Sequence, residues 1–482
     1  MNIKSLVPIG IPMATFDNTD KAHSWTTNYI ESVTSDEIWK PMTTATAARE
    51  FAKLRDRWWD ETVVDHTFKQ FAIHDFSYRG HSGHASAAAC GAATLLYSNG
   101  TDNIAGLVFA RTFYAAKPDT AMSIPASEHS VTTLGINHYA TQELTGELKT
   151  LAGQLQNRLI VLGFGDEYEQ ALGELATIYQ LLTEVYPSGL LSYVADSYDY
   201  WRVMTIIIPI LKDVILRREG KLVLRPDSGD PIKVVVGELF GSELEEAVAR
   251  SVSAGSVPCG HTFGLNGQYY VVLGSINKIP KGSYLPFSEL LRNSFISKVN
   301  EPRWEADQHE IICPAEKGSI AVLDEIFGTV TNTKGYKELA PQIGLIYGDG
   351  ITYKRARAIF EGLADKGYAA STVVLGVGSY SFAGGTRDSL GFAIKATYAE
   401  VNGVPTPIFK APKTNLDSSK NSARGLLCLE KDADGNIVLL QNVTPEKEAT
   451  GLLEDVIVDG DLKRFEEFED IRAALGFGSK LL

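Results

Sequence analysis

The stretch KLVLRPDSGDP (221–231) sets an arginine and an aspartate two residues apart, just where a short apolar run ends. Leu222-Val223-Leu224, stopped by Pro226 and Gly229, reads as a strand buried on both faces. Arg225 and Asp227 then stand at its carboxyl end, and in α/β proteins the carboxyl ends of parallel strands line the ligand crevice. A guanidinium there can stack on a flat ring or bind phosphate bidentately. A carboxylate two residues on can hold sugar hydroxyls or an ion. The same two residues would also make a strand-end ion pair closed by a turn.

The design recurs along the chain. LSYVADSYD (191–199) ends in Asp196 and Asp199, and FAIHDFSYRG (71–80) runs a short strand into His74, Asp75, Phe76, Tyr78 and Arg79. LIYGDG (345–350) and TVVLGVGS (372–379) end in glycines. Glycine after a buried strand lets backbone N–H groups approach a phosphate closely, although turns need glycine too. Neither is a Rossmann fingerprint or a P-loop, because the later Gly and the Gly-Lys-Ser/Thr are missing.

SIPASEHS (123–130) leads into a helix for which Ser127 is the expected N-cap. Glu128 and His129 follow it, and a histidine in that place is either chemically active or a satisfied structural one. His81 and His84 lie three apart with no carboxylate at matching spacing, which favours hydrogen-bonded or solvated histidines over metal ligands. Arg387, Lys395, Lys410, Lys413 and Lys420 form a locally basic run that solvation or an anionic ligand would explain.

The elements that must position these residues alternate apolar strands with helical patterns, which is the grammar of a parallel α/β barrel or open sheet. Segments 24–39 and 44–60 read as two amphipathic core helices, the first through Trp25, Tyr29 and Ile30, the second through Phe51, Leu54 and Trp58. Small residues over 82–94 suggest a tightly packed helix. Residues 143–165 show no clear period, 167–186 reads as a helix, and the glycine-punctuated stretch 250–316 reads as an inserted β-like excursion. From 446 onward the chain is acidic, partly helical and reads as surface.

Composition bounds the possibilities. The chain has 482 residues, 44% hydrophobic and 22% charged, ample for a core and for two to four domains. A net charge of −14 argues against general nucleic-acid binding but not against phosphorylated small molecules, which need only a local cationic cluster. Cys90, Cys259, Cys313 and Cys428 form no CxxC pair, so reduced thiols in a cytoplasmic setting are the expectation. The N-terminal stretch makes a poor signal peptide, and the run IIIPIL (206–211) is too short to span a bilayer.

Taken in order, HDFSYRG (74–80), GTD (100–102), PASEHS (125–130), DSYD (196–199), RPDSGDP (225–231), YGDG (347–350), LGVGS (375–379) and TRD (386–388) closely resemble the nicotinamide phosphoribosyltransferase family. The resemblance covers nearly the whole chain apart from parts of 143–165 and 250–316. It implies a half-open parallel α/β barrel over 63–385, and a second α+β domain formed from both chain ends, 1–62 and 386–482. It also implies a homodimer with shared active sites that makes nicotinamide mononucleotide and pyrophosphate from nicotinamide and phosphoribosyl pyrophosphate.

By the same resemblance Phe76 and Arg225 would stack on the pyridine ring from opposite sides, and Asp102 would accept from the carboxamide. A carboxylate at Asp102 attracts an amide and repels nicotinate. Asp227 would hold ribose hydroxyls, and Ser192 joins the substrate-binding set. Gly348, Asp349, Gly378 and Ser379 would cradle the 5′-phosphate. Arg79, Arg387, Lys395 and Lys410 would neutralise the pyrophosphate, the last three reaching in from the partner subunit, with Mg²⁺ carried by the pyrophosphate rather than by protein ligands. His129 matches a histidine that ATP phosphorylates, oriented by Asp196 and Glu128.

One departure bears on the expectation. Family members begin with roughly a hundred further residues, about the size of a small domain. That segment carries an Asp-Ser-Tyr-Lys motif whose tyrosine packs on nicotinamide. This chain starts after it, and DSYD (196–199) does not replace it. Either the chain is a shortened member of the family, or a separate N-terminal polypeptide supplies the start as a partner, or activity is impaired. The alternatives are a nicotinate phosphoribosyltransferase, against which Asp102 counts, and a catalytically weak phosphoribosyl-pyrophosphate-binding protein.

Overall fold

A computed structural model describes residues 7–162, 164–237, 242–253, 255, 257, 259–265, 268–278, 285–299, 317–410 and 422–477. Two compact units emerge. One gathers 1–53, 75–122 and 379–482, so both chain ends share it; the other gathers 54–74 and 123–378.

The second unit is built on parallel strands. β1 (Ile73–Asp75), β3 (Ser188–Val194), β4 (Glu219–Arg225), β10 (Ile343–Tyr347) and β11 (Val373–Val377) lie in the order β1-β11-β10-β4-β3. The fold is α/β, with this sheet as the half-open barrel. Apolar residues on both faces explain the burial: Leu191, Val194, Leu222, Leu224, Leu345 and Val373 are all essentially inaccessible. Each such side chain contributes about 1.5–3 kcal/mol, which lets the strands carry polar residues at their ends. Leu345 pairs with Leu224 on one side and Val373 on the other. In the first unit, β2 (Gly100–Thr101) is followed by Asp102, whose N–H donates to the Asp75 carbonyl (3.0 Å) of the same unit.

After β4, the described part of 250–316 forms a small sheet over a buried cluster. β5 (Thr262–Leu265), β6 (Gln268–Val272) and β7 (Ile296–Val299) form an antiparallel sheet. Phe263, Tyr270, Phe287 and Leu290 pack beneath it with Val248 and Val252. A hairpin of β8 (Thr329–Thr331) and β9 (Lys337–Leu339) precedes β10.

Several sequence expectations need correction. Segments 24–39 and 44–60 are not two helices: one helix, α1 (Thr27–Thr62), runs through Pro41. Only its later part is core. Phe51, Leu54 and Trp58 are buried, whereas Trp25, Tyr29 and Ile30 face solvent. Residues 143–165 do have a period. A helix spans Gly146–Leu162 and buries Leu148, Leu151, Ala152, Leu155 and Leu159, a 3-4 spacing that the exposed Ile160 and Val161 obscured. The acidic tail is not all surface either, for the helix Phe468–Ala474 packs Phe468 against Leu95 and Ala110.

Small residues do pack tightly over 82–94, as α2 (His84–Thr94). α2 crosses α3 (Ile104–Tyr114) at Gly91 and Gly106, where a Cβ on Gly106 would fall 2.6 Å from the Gly91 carbonyl carbon. Among the described residues no helix is long and apolar enough to cross a membrane. Cys90, Cys259 and Cys428 are free thiols, and Cys313 lies outside the described residues.

Candidate active site

The register of β3 against β4 brings two carboxylates together. Val194 pairs with Arg225, so Asp196 and Asp227 each stand two residues past matched positions on neighbouring strands. Asp196 Oδ2 accepts from the Asp227 N–H (3.0 Å) and the Ser228 hydroxyl (2.6 Å). Its other oxygen, Oδ1, is buried without a hydrogen-bond partner and lies 3.7 Å from His129 Nε2. Asp227 Oδ2 lies 3.9 Å from the same nitrogen and 3.3 Å from Arg225 Nη2. The strand-end ion pair of Arg225 and Asp227 is therefore present, and the histidine stands beside it.

The PASEHS segment delivers His129. Residues 125–127 run against the free side of β3. Buried Ser192 donates its N–H to the Pro125 carbonyl (2.8 Å) and accepts at its own carbonyl from the Ser127 N–H (2.9 Å). Ser127 is not the N-cap, because its hydroxyl accepts from the Val194 N–H (2.8 Å). Glu128 is the cap of α4 (His129–Tyr139), accepting from the Ser130 N–H (3.1 Å), the Ser130 hydroxyl (2.9 Å) and the Val131 N–H (3.3 Å). Those bonds, the Ser130 backbone first, hold its carboxyl below the ordinary range. Glu128 thus fixes the start of the helix that carries His129. The imidazole is 44% exposed, open to a ligand, and its Nδ1 lies 3.3 Å from Ser197 Oγ.

The loop after β4 is pinned from β10. The Tyr347 hydroxyl donates to the Gly229 carbonyl (2.8 Å), at a residue whose φ of +93° favours glycine. Asp230 caps Pro231–Val235 through the Ile232 and Lys233 N–H groups. Burial first, then the charges of Asp349, Asp227, Asp230 and Asp196, push the Tyr347 hydroxyl well up, so four carboxylates share one neighbourhood. Gly348 and Asp349 follow β10, and Gly378 follows β11. A Cβ at Gly378 would meet no atom within 4 Å, which leaves space against the backbone. Among the described residues no group of three or more His, Cys, Asp or Glu could hold a metal ion.

The other unit carries Phe76, Arg79, Asp102, Ser379, Arg387, Lys395 and Lys410. Asp75 shapes the first loop, accepting from the Ser77 N–H (2.8 Å) and the Thr94 hydroxyl (3.1 Å). Gly80 lies against Ser379, where a Cβ would fall 1.8 Å from Oγ, so the YRG and VGS motifs meet by close packing. Asp102 is exposed ahead of the α3 cap, Asn103, which accepts from the Gly106 N–H (3.1 Å). His81 Nε2 lies 3.0 Å from Ser77 Oγ, and His84 Nδ1 lies 3.3 Å from the Tyr78 hydroxyl. Burial, then the Lys40 charge, lowers His81 to about 4. Arg79, Lys395 and Lys410 are exposed, and Arg387 pairs with Asp388 at 2.8 Å. Lys413 and Lys420 lie outside the described residues.

Sequence reasoning missed Ser197, Ser228 and Tyr347. All three sit inside motifs singled out for their neighbours; the signal was there, but a hydroxyl carries no charge pattern to flag it.

Similarity to known proteins extends over most of the chain. The model of the nicotinate phosphoribosyltransferase (NAPRTase) family matches residues 71–251 and 309–453, leaving most of the β5–β7 excursion unmatched. A nicotinamide phosphoribosyltransferase of Acinetobacter baylyi is 33% identical over 477 residues, 98% of this chain and 74% of that protein. One from Mycoplasma pneumoniae is 31% identical, covering 86% of this chain and 67% of its own length. One from Xanthomonas campestris is 27% identical over 97% of this chain and 76% of its own.

Proposed function

The chain belongs to the nicotinate phosphoribosyltransferase family, and on that premise we propose that it transfers the phosphoribosyl group of phosphoribosyl pyrophosphate to nicotinamide. The reaction makes nicotinamide mononucleotide in NAD synthesis. The observation that carries the reading is the Arg225–Asp227 pair at the end of β4 with His129 Nε2 3.9 Å from the carboxylate. That arrangement offers a flat cation for a ring, an acceptor for sugar hydroxyls and an imidazole at one strand end.

The pyridine nitrogen already holds a lone pair, so no base is needed. It attacks ribose C1, the C1–O bond breaks, and its electron pair leaves with pyrophosphate. The residues must align the reactants and stabilise a cation-like sugar and a departing anion. Asp227 serves the sugar. Arg79, Arg387, Lys395 and Lys410 serve the pyrophosphate, the last three from a partner subunit in a homodimer. Magnesium arriving with the substrate would supply further neutralisation of the pyrophosphate. The backbone at Gly348, Gly378 and Ser379, with Asp349, receives the 5′-phosphate, and Ser192 on β3 joins the substrate-binding set. Phe76 and Arg225 each offer a flat face to the ring, and Asp102 accepts from the carboxamide.

His129 takes a phosphoryl group from ATP. The carboxylates near Nε2 hold a proton there and leave the Nδ1 lone pair to attack the γ-phosphorus. The N–P bond forms as the bond to ADP breaks. Charge placed beside the pyrophosphate site then couples ATP turnover to transfer. Incubation with phosphoribosyl pyrophosphate, magnesium and either nicotinamide or nicotinate, with and without ATP, tests both halves. Nicotinamide mononucleotide should dominate, and ATP should raise its yield. Nicotinic acid mononucleotide as the main product would favour the sister reaction.

A further inference from the structure

Beneath the His129 cluster lies a carboxylate that the reaction does not use. Glu174, on the helix Tyr168–Gln180, is completely buried. Tyr193, three residues before Asp196, donates its hydroxyl to Glu174 Oε1 (3.4 Å). Arg202, six residues after Asp196, sets Nη2 3.5 Å from Glu174 Oε2. One side chain therefore touches both flanks of the loop that presents Asp196. The far flank is locked again: the Arg202 N–H donates to Asp199 Oδ1 (3.0 Å), and its guanidinium reaches Glu167 (2.7 Å) and Gln170 (2.9 Å).

The same helix also seats α4. A Cβ at Gly173 would fall 2.0 Å from the Ile136 carbonyl oxygen, and one at Gly135 would meet Thr177 at 3.1 Å. His129 starts α4, so the helix 168–180 fixes the histidine by packing and the aspartate through Glu174. A fully buried carboxylate is costly unless paired, and a merely apolar residue would pack this helix without that cost. What the carboxylate adds is a hydrogen bond from Tyr193 on one flank of the loop and an ion pair with Arg202, in which Oε2 accepts no hydrogen bond, on the other.

We propose that Glu174 is a positioning residue that holds Asp196 against His129. The role of that contact rests on the reading of His129 as a phosphoryl acceptor; the positioning itself does not. The Asp227 N–H is bonded to Asp196 Oδ2, so its hydrogen exchange reports whether Asp196 stays in place.

Amide-resolved exchange is measured on the full chain and on Glu174→Gln and Tyr193→Phe, with the helix Tyr353–Asp365 as the reference for global opening. Glu174→Gln should speed exchange at Asp227 roughly tenfold or more, with the reference unchanged and a smaller effect in Tyr193→Phe. ATP labelling of His129 should fall in the same order. Unchanged exchange at Asp227 in both variants overturns the proposal, whether or not His129 labels. Faster exchange with no label in the wild type supports the positioning and overturns the reading of His129. If Glu174→Gln does not fold, Tyr193→Phe decides: faster exchange at Asp227 alone supports the clamp, and unchanged exchange overturns it.

Discussion

Asp196 turns a buried oxygen that has no hydrogen-bond partner toward His129, 3.7 Å from Nε2. A carboxylate so placed attracts the ring electrostatically and would stabilise it as positive charge develops. Asp196→Asn should therefore lower the rate of ATP-dependent, acid-labile labelling by about a hundredfold, and His129→Ala should abolish it. Filter-bound radiolabel with mild acid release measures both. Labelling of His129→Ala at the wild-type rate would remove His129 from the chemistry.

Asp102 is expected to choose the base. Asp102→Ser removes the like-charge clash with nicotinate, so the preference for nicotinamide should fall by roughly ten- to hundredfold. Competition between the two bases, with both mononucleotides quantified, reads the ratio. An unchanged ratio would take Asp102 out of base selection.

Two glycines separate packing from ligand approach. A Cβ at Gly80 would fall 1.8 Å from Ser379 Oγ, whereas one at Gly378 would meet nothing within 4 Å. Gly80→Ala should cost on the order of 1–3 kcal/mol of stability by forcing Ser379 to shift. Gly378→Ala should leave the melting temperature unchanged yet raise KM for phosphoribosyl pyrophosphate, because the methyl group occupies space needed by phosphate. Equal melting temperatures for both variants would contradict the close packing of Gly80.

Much of this was legible in the sequence because apolar runs and their polar ends are local signals. LVL (222–224) followed by Arg225 and Asp227 marked the β4 end without any knowledge of its neighbours. What places Asp196 beside Asp227 is the strand register, Val194 against Arg225, and register is a long-range property. The capping of α4 was misread for a related reason. Ser127 is the commoner cap type, but its hydroxyl is taken by Val194 in the next strand, and Glu128 caps instead. Glu174 was invisible because one glutamate in a helix looks solvated until its burial is known.

Stability should carry the signature of Glu174. Burial, opposed by Arg202, pushes its carboxyl up to about 7. The folded chain then holds a proton that the unfolded chain has released between about pH 4.5 and 7, so this group's contribution falls as pH rises through that window and levels off above it. The change is on the order of 3 kcal/mol. The difference in urea midpoint between the wild type and Glu174→Gln should shift toward the variant from pH 4.5 to 7.5. His81, lowered to about 4 by burial and then Lys40, acts in the opposite direction between about pH 4 and 6.5, and cancels in that difference. A pH-independent difference would mean that Glu174 titrates like an exposed glutamate.

Product analysis with nicotinamide and nicotinate at equal concentration, phosphoribosyl pyrophosphate and magnesium tests the central claim most directly, run on the wild type and on Arg225→Ala. Nicotinamide mononucleotide and pyrophosphate should appear in equal amounts with little of the acid product. Arg225→Ala should lower kcat/KM by about tenfold or more through loss of the stacked cation. Nicotinic acid mononucleotide in excess, or a wild-type rate in Arg225→Ala, would contradict the account.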